Sequence, residues 1–267
     1  RGILGVATRR GARAIDAHHG VVRDLGVAGL DLDGLDPTIG LGRHVDHEVP
    51  VHVGAVRRHG ERLGRLEDHV GRAHLTLGNL LRKRKQWAAA AGHLRRATEL
   101  DPASSDAWNN LGITHELAGE LADAESALRR AVELAPKRAL FRENLARVLA
   151  AAGKDADALA AYRAVLEIDQ TAVASLKGMA AVLLRTADEG SASALRAVDA
   201  AERAAKATGG RDASVLEILM LAYMAAGDAG KALRTGQQAL GLARSGTDAA
   251  LVDRLMTRLD ELAAHGG

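Results

Sequence analysis

A period of 34 residues runs through the larger part of this chain and constrains its fold more than any other feature. Trp108-Asn-Asn-Leu-Gly112 is followed by Ala124, Leu128, Ala131 and Pro136. One period earlier stand His74, Leu77, Gly78, Ala90, Leu94, Ala97 and Pro102, and one period later Arg142, Leu145, Ala146, Ala158, Tyr162 and Val165. Apolar and small residues within the units recur at helical spacing in two runs, separated by a glycine turn in the second, third and fifth. A period of this length describes a helical hairpin that cannot bury its apolar face alone, so neighbouring hairpins must stack to form a core.

Each recurring position has a physical role. Gly78, Gly112, Ala146 and Ala180 are small enough for the second helix of a unit to approach the first. Ala90, Ala124, Ala158 and Ala232 do the same from the other side, and Leu77, Leu111, Leu145, Met179 and Leu219 are expected to fill the space between. Pro102 and Pro136 stop the second helix, and Gly119, Gly153 and Gly227 suit the turn between helices. The pattern resembles the tetratricopeptide repeat, with Trp-x-x-Leu-Gly opening the first helix and spaced small residues lining the second. The expected units are 71–104, 105–138, 139–172, a longer fourth at 173–212 and a fifth at 213–246. The fourth unit has lost its turn glycine at Ala187, and its extra length is expected in Asp188–Ser191 and Gly209–Arg211. Ala249, Val252, Leu255, Leu259 and Leu262 then recur at helical spacing, which predicts a capping helix within 247–267. The resemblance implies an all-α, right-handed superhelical solenoid.

The first 70 residues have another composition. They hold 12 of the 29 glycines and 7 of the 11 histidines, and all five aromatics lie beyond them. With few large aliphatics in a regular pattern, this Gly/Arg/His-rich segment is expected to be of low order. Glu48-Val-Pro-Val-His-Val-Gly54 alternates like a short edge strand, and a helix is expected over roughly Val56–Val70.

Several functions are disfavoured at once. Without cysteine there is no disulfide scaffold, thiolate metal site or cysteine nucleophile. A net charge of +2, from 36 basic and 34 acidic residues, gives no basis for binding a phosphate backbone, and five aromatics offer few stacking platforms. The longest apolar run, Ile218–Ala226, is about half of a bilayer crossing. The sequence starts at Arg1 rather than Met and is read as a piece of a longer chain, so a missing signal segment carries little weight. A cytoplasmic location is weakly favoured.

In the resembled family the first helices line a concave groove for an extended peptide or a partner helix. Carried onto this sequence, that groove holds Asn79, Arg82, Asn109, Asn110, Asn144, Arg147 and Lys177. An asparagine amide can donate to a peptide carbonyl and accept from its N–H, gripping backbone without reading sequence. Arg72, Arg82, Arg147, Lys177 and Arg185 outnumber Asp106, Glu116 and Glu143 there, which points to a mildly acidic partner. A carboxylate clamp of the kind that binds chaperone tails is not expected, because its cationic positions read Leu75, Leu140 and Asn144. Arg82-Lys83-Arg84-Lys85 falls where a helix ends and cations complement the dipole. No catalytic residues, cofactor or metal are expected of the repeats, so the chain reads as a non-catalytic interaction scaffold. The alternative is a metal-dependent activity of the N-terminal histidines, centred on His44, Asp46, His47, Glu48 and His52. His44 and His47, however, match neither a helical nor a same-face strand pair.

Overall fold

The computed structural model describes residues 4–8, 11–15, 22–25, 49–246 and 248–265. The chain divides into two units, 1–61 and 62–267. Described in the first are three strands, β1 (Leu4–Thr8), β2 (Gly11–Ile15) and β3 (Val22–Leu25), forming an antiparallel sheet in that order. Leu4 pairs with Ile15 and Thr8 with Gly11, while Ala12 pairs with Leu25. The remaining expectation of low order before residue 49 falls outside the described residues.

Helix α1 runs from Val49 to Lys83. It contains the helix expected over 56–70 and overturns the strand expected at 48–54, of which 49–54 are helical. Pro50 is compatible with this because it sits in the first turn, where its missing N–H has no partner to lose.

The second unit is an α-solenoid. After α1 come α2 (Trp87–Leu100), α3 (Ser105–Leu117), α4 (Leu121–Leu134), α5 (Ala139–Ala151), α6 (Asp155–Ile168), α7 (Val173–Arg185), α8 (Ala192–Ala207), α9 (Ala213–Ala225), α10 (Ala229–Arg244) and α11 (Ala249–His265). Consecutive helices from α2 onward pack on one another. The first helices α3, α5, α7 and α9 also touch in succession, whereas no comparably close packing joins the second helices among the described residues. The first helices therefore lie on the inner side of the stack.

Close approach within a hairpin comes from the small residues. A Cβ on Gly78 would lie 2.6 Å from Leu94 Cγ, and one on Gly112 only 2.5 Å from Leu128 Cγ. Ala146 and Ala180 hold the equivalent places and are fully buried. Gly178 gives the same room to the Tyr162 ring and Gly236 to Met220 and Leu259, two contacts outside the repeat pattern. The core is accordingly rich in alanine, with Leu94, Leu128, Phe141, Leu149, Leu176, Met220 and Leu255 as its large members.

Turns close by one device. Glu120 N–H donates to His115 O, Lys154 to Leu149 O and Asp228 to Tyr223 O, each at 2.9 Å. The glycine between takes a positive φ: 82° at Gly119, 73° at Gly153 and 78° at Gly227. In the first turn Lys85 holds this conformation, at φ 59°. Asp228 then caps α10 by accepting from Lys231 N–H at 2.9 Å, a bond that holds its carboxyl below the usual range.

Three expectations change. Leu77 is 41% exposed, whereas Leu111, Leu145, Met179 and Leu219 are buried. Leu111 is covered by Ala91 and Leu94 of the preceding second helix, while Leu77 lies on the helix that leads the stack. The extra length of the fourth unit is also spread more widely than expected. Thr186–Ser191 replaces a three-residue turn, and α8 has 16 residues where α6 has 14. In α11, Leu251 is buried and Ala249 exposed, so Leu251 and Leu255 anchor the cap.

Two glycine-to-alanine changes should have opposite effects. Gly112→Ala forces Leu128 aside and should destabilise by about 1–3 kcal/mol. Gly92 lies inside α2, and an added methyl there would have nothing within 4 Å. Gly92→Ala should therefore stabilise by up to ~1 kcal/mol. Urea midpoints of the two variants check both signs. On acidification, the capping and interhelical carboxylates lose their stabilising charge. Glu125 is held low by its hydrogen bond from Lys154, with Arg129 adding to it, and so joins Asp228. Depressed values mean that their contribution is full above the ordinary carboxylate range, near pH ~4, and is lost as pH falls through the lower folded values. Thermal midpoints should therefore drop between about pH 4 and pH 2, and less steeply in Glu125→Gln.

Candidate interaction groove

The inner face is formed by α1, α3, α5, α7 and α9, whose polar residues lie one period apart. That spacing brings side chains of successive first helices within reach of one another. Asn144 donates its amide N–H to Asn109 Oδ1 at 2.8 Å, and both residues are buried. Arg147 pairs with Glu116 at 2.7 Å, and Arg138 with Asp106 at 2.7 Å. Ser175 donates to Glu143 at 3.0 Å, and Lys177 to Ser214 at 2.8 Å. Arg185 donates to Ala150 O at 2.7 Å and also pairs with Asp155. Arg254 of the cap donates to Glu217 from both Nε and Nη2, at 2.8 and 3.2 Å. The inner face is thus crossed by polar ties from α3 to α11.

These ties divide the residues expected in the groove. Asn109, Asn144, Arg147 and Lys177 hold adjacent first helices together. Asn110 is only partly buried and makes no side-chain hydrogen bond among the described residues. Asn79 Oδ1 and Arg82 Nε are buried without an internal partner, the only such atoms among the described residues. Asn79 and Arg82 are three apart on α1, on neighbouring turns of its inner face. Sequence alone could not separate the tied residues from the free ones, because Asn110 and Asn144 share a repeat position. The buried one is decided by whether its neighbour offers a matching amide.

Electrostatics follow the same division. Burial raises the Glu116 carboxyl above its usual range, and Arg147 only partly opposes it. The excess of cations expected along the groove is largely answered internally, leaving Arg72 and Arg82 at the α1 end. Arg72 Nε makes only a 3.4 Å contact with the backbone of Asp68. At the other end Ile218, Leu221 and Met224 are partly buried against the core that includes Leu251 and Leu255 of α11, as expected for residues under a cap.

One group of metal-capable side chains lies together among the described residues: His115, Glu120 and Asp123, with ligand atoms within 4.8 Å of one another. His115 is buried and its Nδ1 lies 2.5 Å from Glu120 Oε2. That bond ties the end of α3 to the residue preceding α4, so the turn itself accounts for the arrangement. The histidine cluster at 44–52 falls outside the described residues, apart from the helical backbone at His52.

Comparison with known proteins agrees with the repeat fold. The tetratricopeptide repeat family model matches residues 75–139 and 118–173. Residues 75–173 carry tetratricopeptide repeats. Among solved structures it is similar to YrrB, described as a TPR protein with an unusual peptide-binding site, at 15% identity and a TM-score of 0.55 over 69% of this chain and 90% of that one. It is also similar to TTC0263, a thermophilic TPR protein of Thermus thermophilus, at 18% identity and 0.56 over 71% and 98%. MamA of Desulfovibrio magneticus RS-1 aligns at 13% identity and 0.60 over 67% and 98%. At these identities the likeness establishes the repeat fold. A sequence search among curated proteins finds no match. Among the described residues no helix of this repeat protein is long and apolar enough to cross a membrane.

The buried amide pair gives a double-mutant test. Asn144→Ala leaves the Asn109 carbonyl oxygen without its donor and should destabilise by about 1–3 kcal/mol. In the Asn109→Ala background the same change should cost markedly less, because the two amides act as one unit. Chemical denaturation of the four proteins measures the coupling.

Proposed function

We propose that the chain is a non-catalytic interaction scaffold that binds an extended peptide or partner helix on its inner face, principally at the α1–α3 end. The observation that carries this reading is the unmatched polarity there. Asn79 and Arg82 are partly exposed residues whose Oδ1 and Nε lack a partner, and Asn110 can both donate and accept through its amide. Buried polar atoms without partners are costly, and a bound backbone supplies what they lack. Asn109, Asn144, Arg147 and Lys177 belong to the same surface but act chiefly by fixing the spacing of the first helices. A preference for a mildly acidic segment rests on Arg72 and Arg82. The peptide-binding site named for YrrB is a precedent in a similar stack.

In this reading residues 71–246 act as five repeat units under the α11 cap. A segment of the chain before residue 71 is not required for gripping the peptide. Panels of acidic and neutral peptides on a solid support, probed with the full chain, provide a binder whose affinity can then be measured by fluorescence polarisation. Each direct hydrogen bond is worth ~0.5–1.5 kcal/mol, so Asn79→Ala with Asn110→Ala and Arg82→Ala should weaken binding by roughly 10- to 1000-fold. Helicity should be retained, because these side chains have no hydrogen-bond partner among the described residues. Unchanged affinity in the triple variant would remove this end of the groove as the site.

A further inference from the structure

Helix α1 is 35 residues long, whereas each of the other first helices has 13. It also carries an apolar stripe left uncovered among the described residues. Val70 is 39% exposed, Leu77 41% and Leu80 52%, and Ala73 between them is exposed. Scattered exposed leucines are ordinary, and Leu195 on α8 is one. These four instead recur at intervals of three, four and three, and the sequence continues the same spacing back to Leu66 and Leu63. Together they occupy the a and d positions of about three heptads. That 3.5-residue period is the mark of a two-stranded seam rather than of one helix on a globular surface.

The stripe is distinct from the other faces of α1. Gly71 and Gly78 turn toward Leu100 and Leu94 of α2, and Asn79 and Arg82 belong to the inner face. The remaining side is the one that, in α3, places Leu111 against the preceding hairpin. On α1 the same side leads the stack, and its leucine is solvent-exposed.

We propose that α1 pairs with α1 of a second copy of this chain as a parallel two-stranded coiled coil, with Leu63, Leu66, Val70, Ala73, Leu77 and Leu80 in the seam. A second copy fits because the same stripe supplies both sides of a two-fold interface. The flanking charges favour the parallel arrangement. Arg62 falls at a g position and Glu67 five residues later at an e position, which places opposite charges across the seam twice in each dimer. Ala73 at a d position lets the helices approach at the middle of the seam. This pairing leaves the inner groove open, so the proposal stands independently of peptide binding.

Light scattering after size-exclusion chromatography of the full chain tests it. The expected mass at tens of micromolar is twice the 27.9 kDa of one chain. Leu77→Asp with Leu80→Asp should bring the mass down to that of one chain with helicity retained. Leu195→Asp, an equally exposed position off the stripe, should leave it doubled. Because the chain has no cysteine, Val70→Cys provides a second readout. Oxidation should link two chains through residue 70, while Leu195→Cys should not. A single-chain mass for the unaltered protein at the highest soluble concentration would overturn the proposal. So would a dimer that survives Leu77→Asp with Leu80→Asp, or one that fails to cross-link through Val70→Cys. Should the double variant lose helicity, the cross-link decides by itself.

Discussion

How closely a first helix can approach the second helix of its own hairpin controls everything else in the stack. The approach depends on the absence of side chain at Gly78 and Gly112, where a methyl would lie inside the contact distance of Leu94 and Leu128. Where alanine replaces glycine, at Ala146 and Ala180, it is fully buried. Tight spacing lets alanine supply much of the core and leaves little work for large rings. It also fixes the tilt of each hairpin, and with it the distance at which the next first helix must lie.

That distance has a chemical consequence on the inner face. Successive first helices come near enough for amides, carboxylates and guanidinium groups one period apart to bond. Asn109 with Asn144, Glu116 with Arg147 and Glu217 with Arg254 therefore act as ties between repeats. Exposed ion pairs of this kind contribute little each, but the buried amide pair cannot be broken without leaving a polar group unmatched. The same chemistry that suits a peptide backbone is thus consumed inside the stack wherever a neighbour is present. It stays available at Asn79, Arg82 and Asn110, toward the α1 end, where no such partner lies among the described residues.

The ends of a repeat array carry the features that its middle cannot. At the C-terminal end α11 covers the last hairpin through Leu251 and Leu255 and turns charged residues such as Asp253 and Asp260 outward. At the N-terminal end α1 is long and keeps an apolar stripe uncovered. A stack solves its burial problem internally by repetition, so each end needs a separate solution. Here one is a polar-faced cap, and the other is the seam proposed for a second copy.

The sequence by itself determined the helical hairpins, their period, their turns and the small residues between them. Each of these depends on local geometry: a positive φ at Gly119, proline after a second helix, a missing Cβ at Gly112. It also made the cap legible, although not that Leu251 rather than Ala249 would face the core. Pro50 and the alternation around it read as a strand because alternation cannot reveal that a helix begins one residue earlier. Only the tertiary structure decided which groove residues are free. Asn110 and Asn144 are identical in type and repeat position, and they differ because Asn109 lies opposite one of them. Likewise Leu77 has the same place in its unit as Leu111 but is exposed, with no helix packed over it among the described residues. Repetition writes the same residue into each unit, and the neighbours of that unit determine what the residue does.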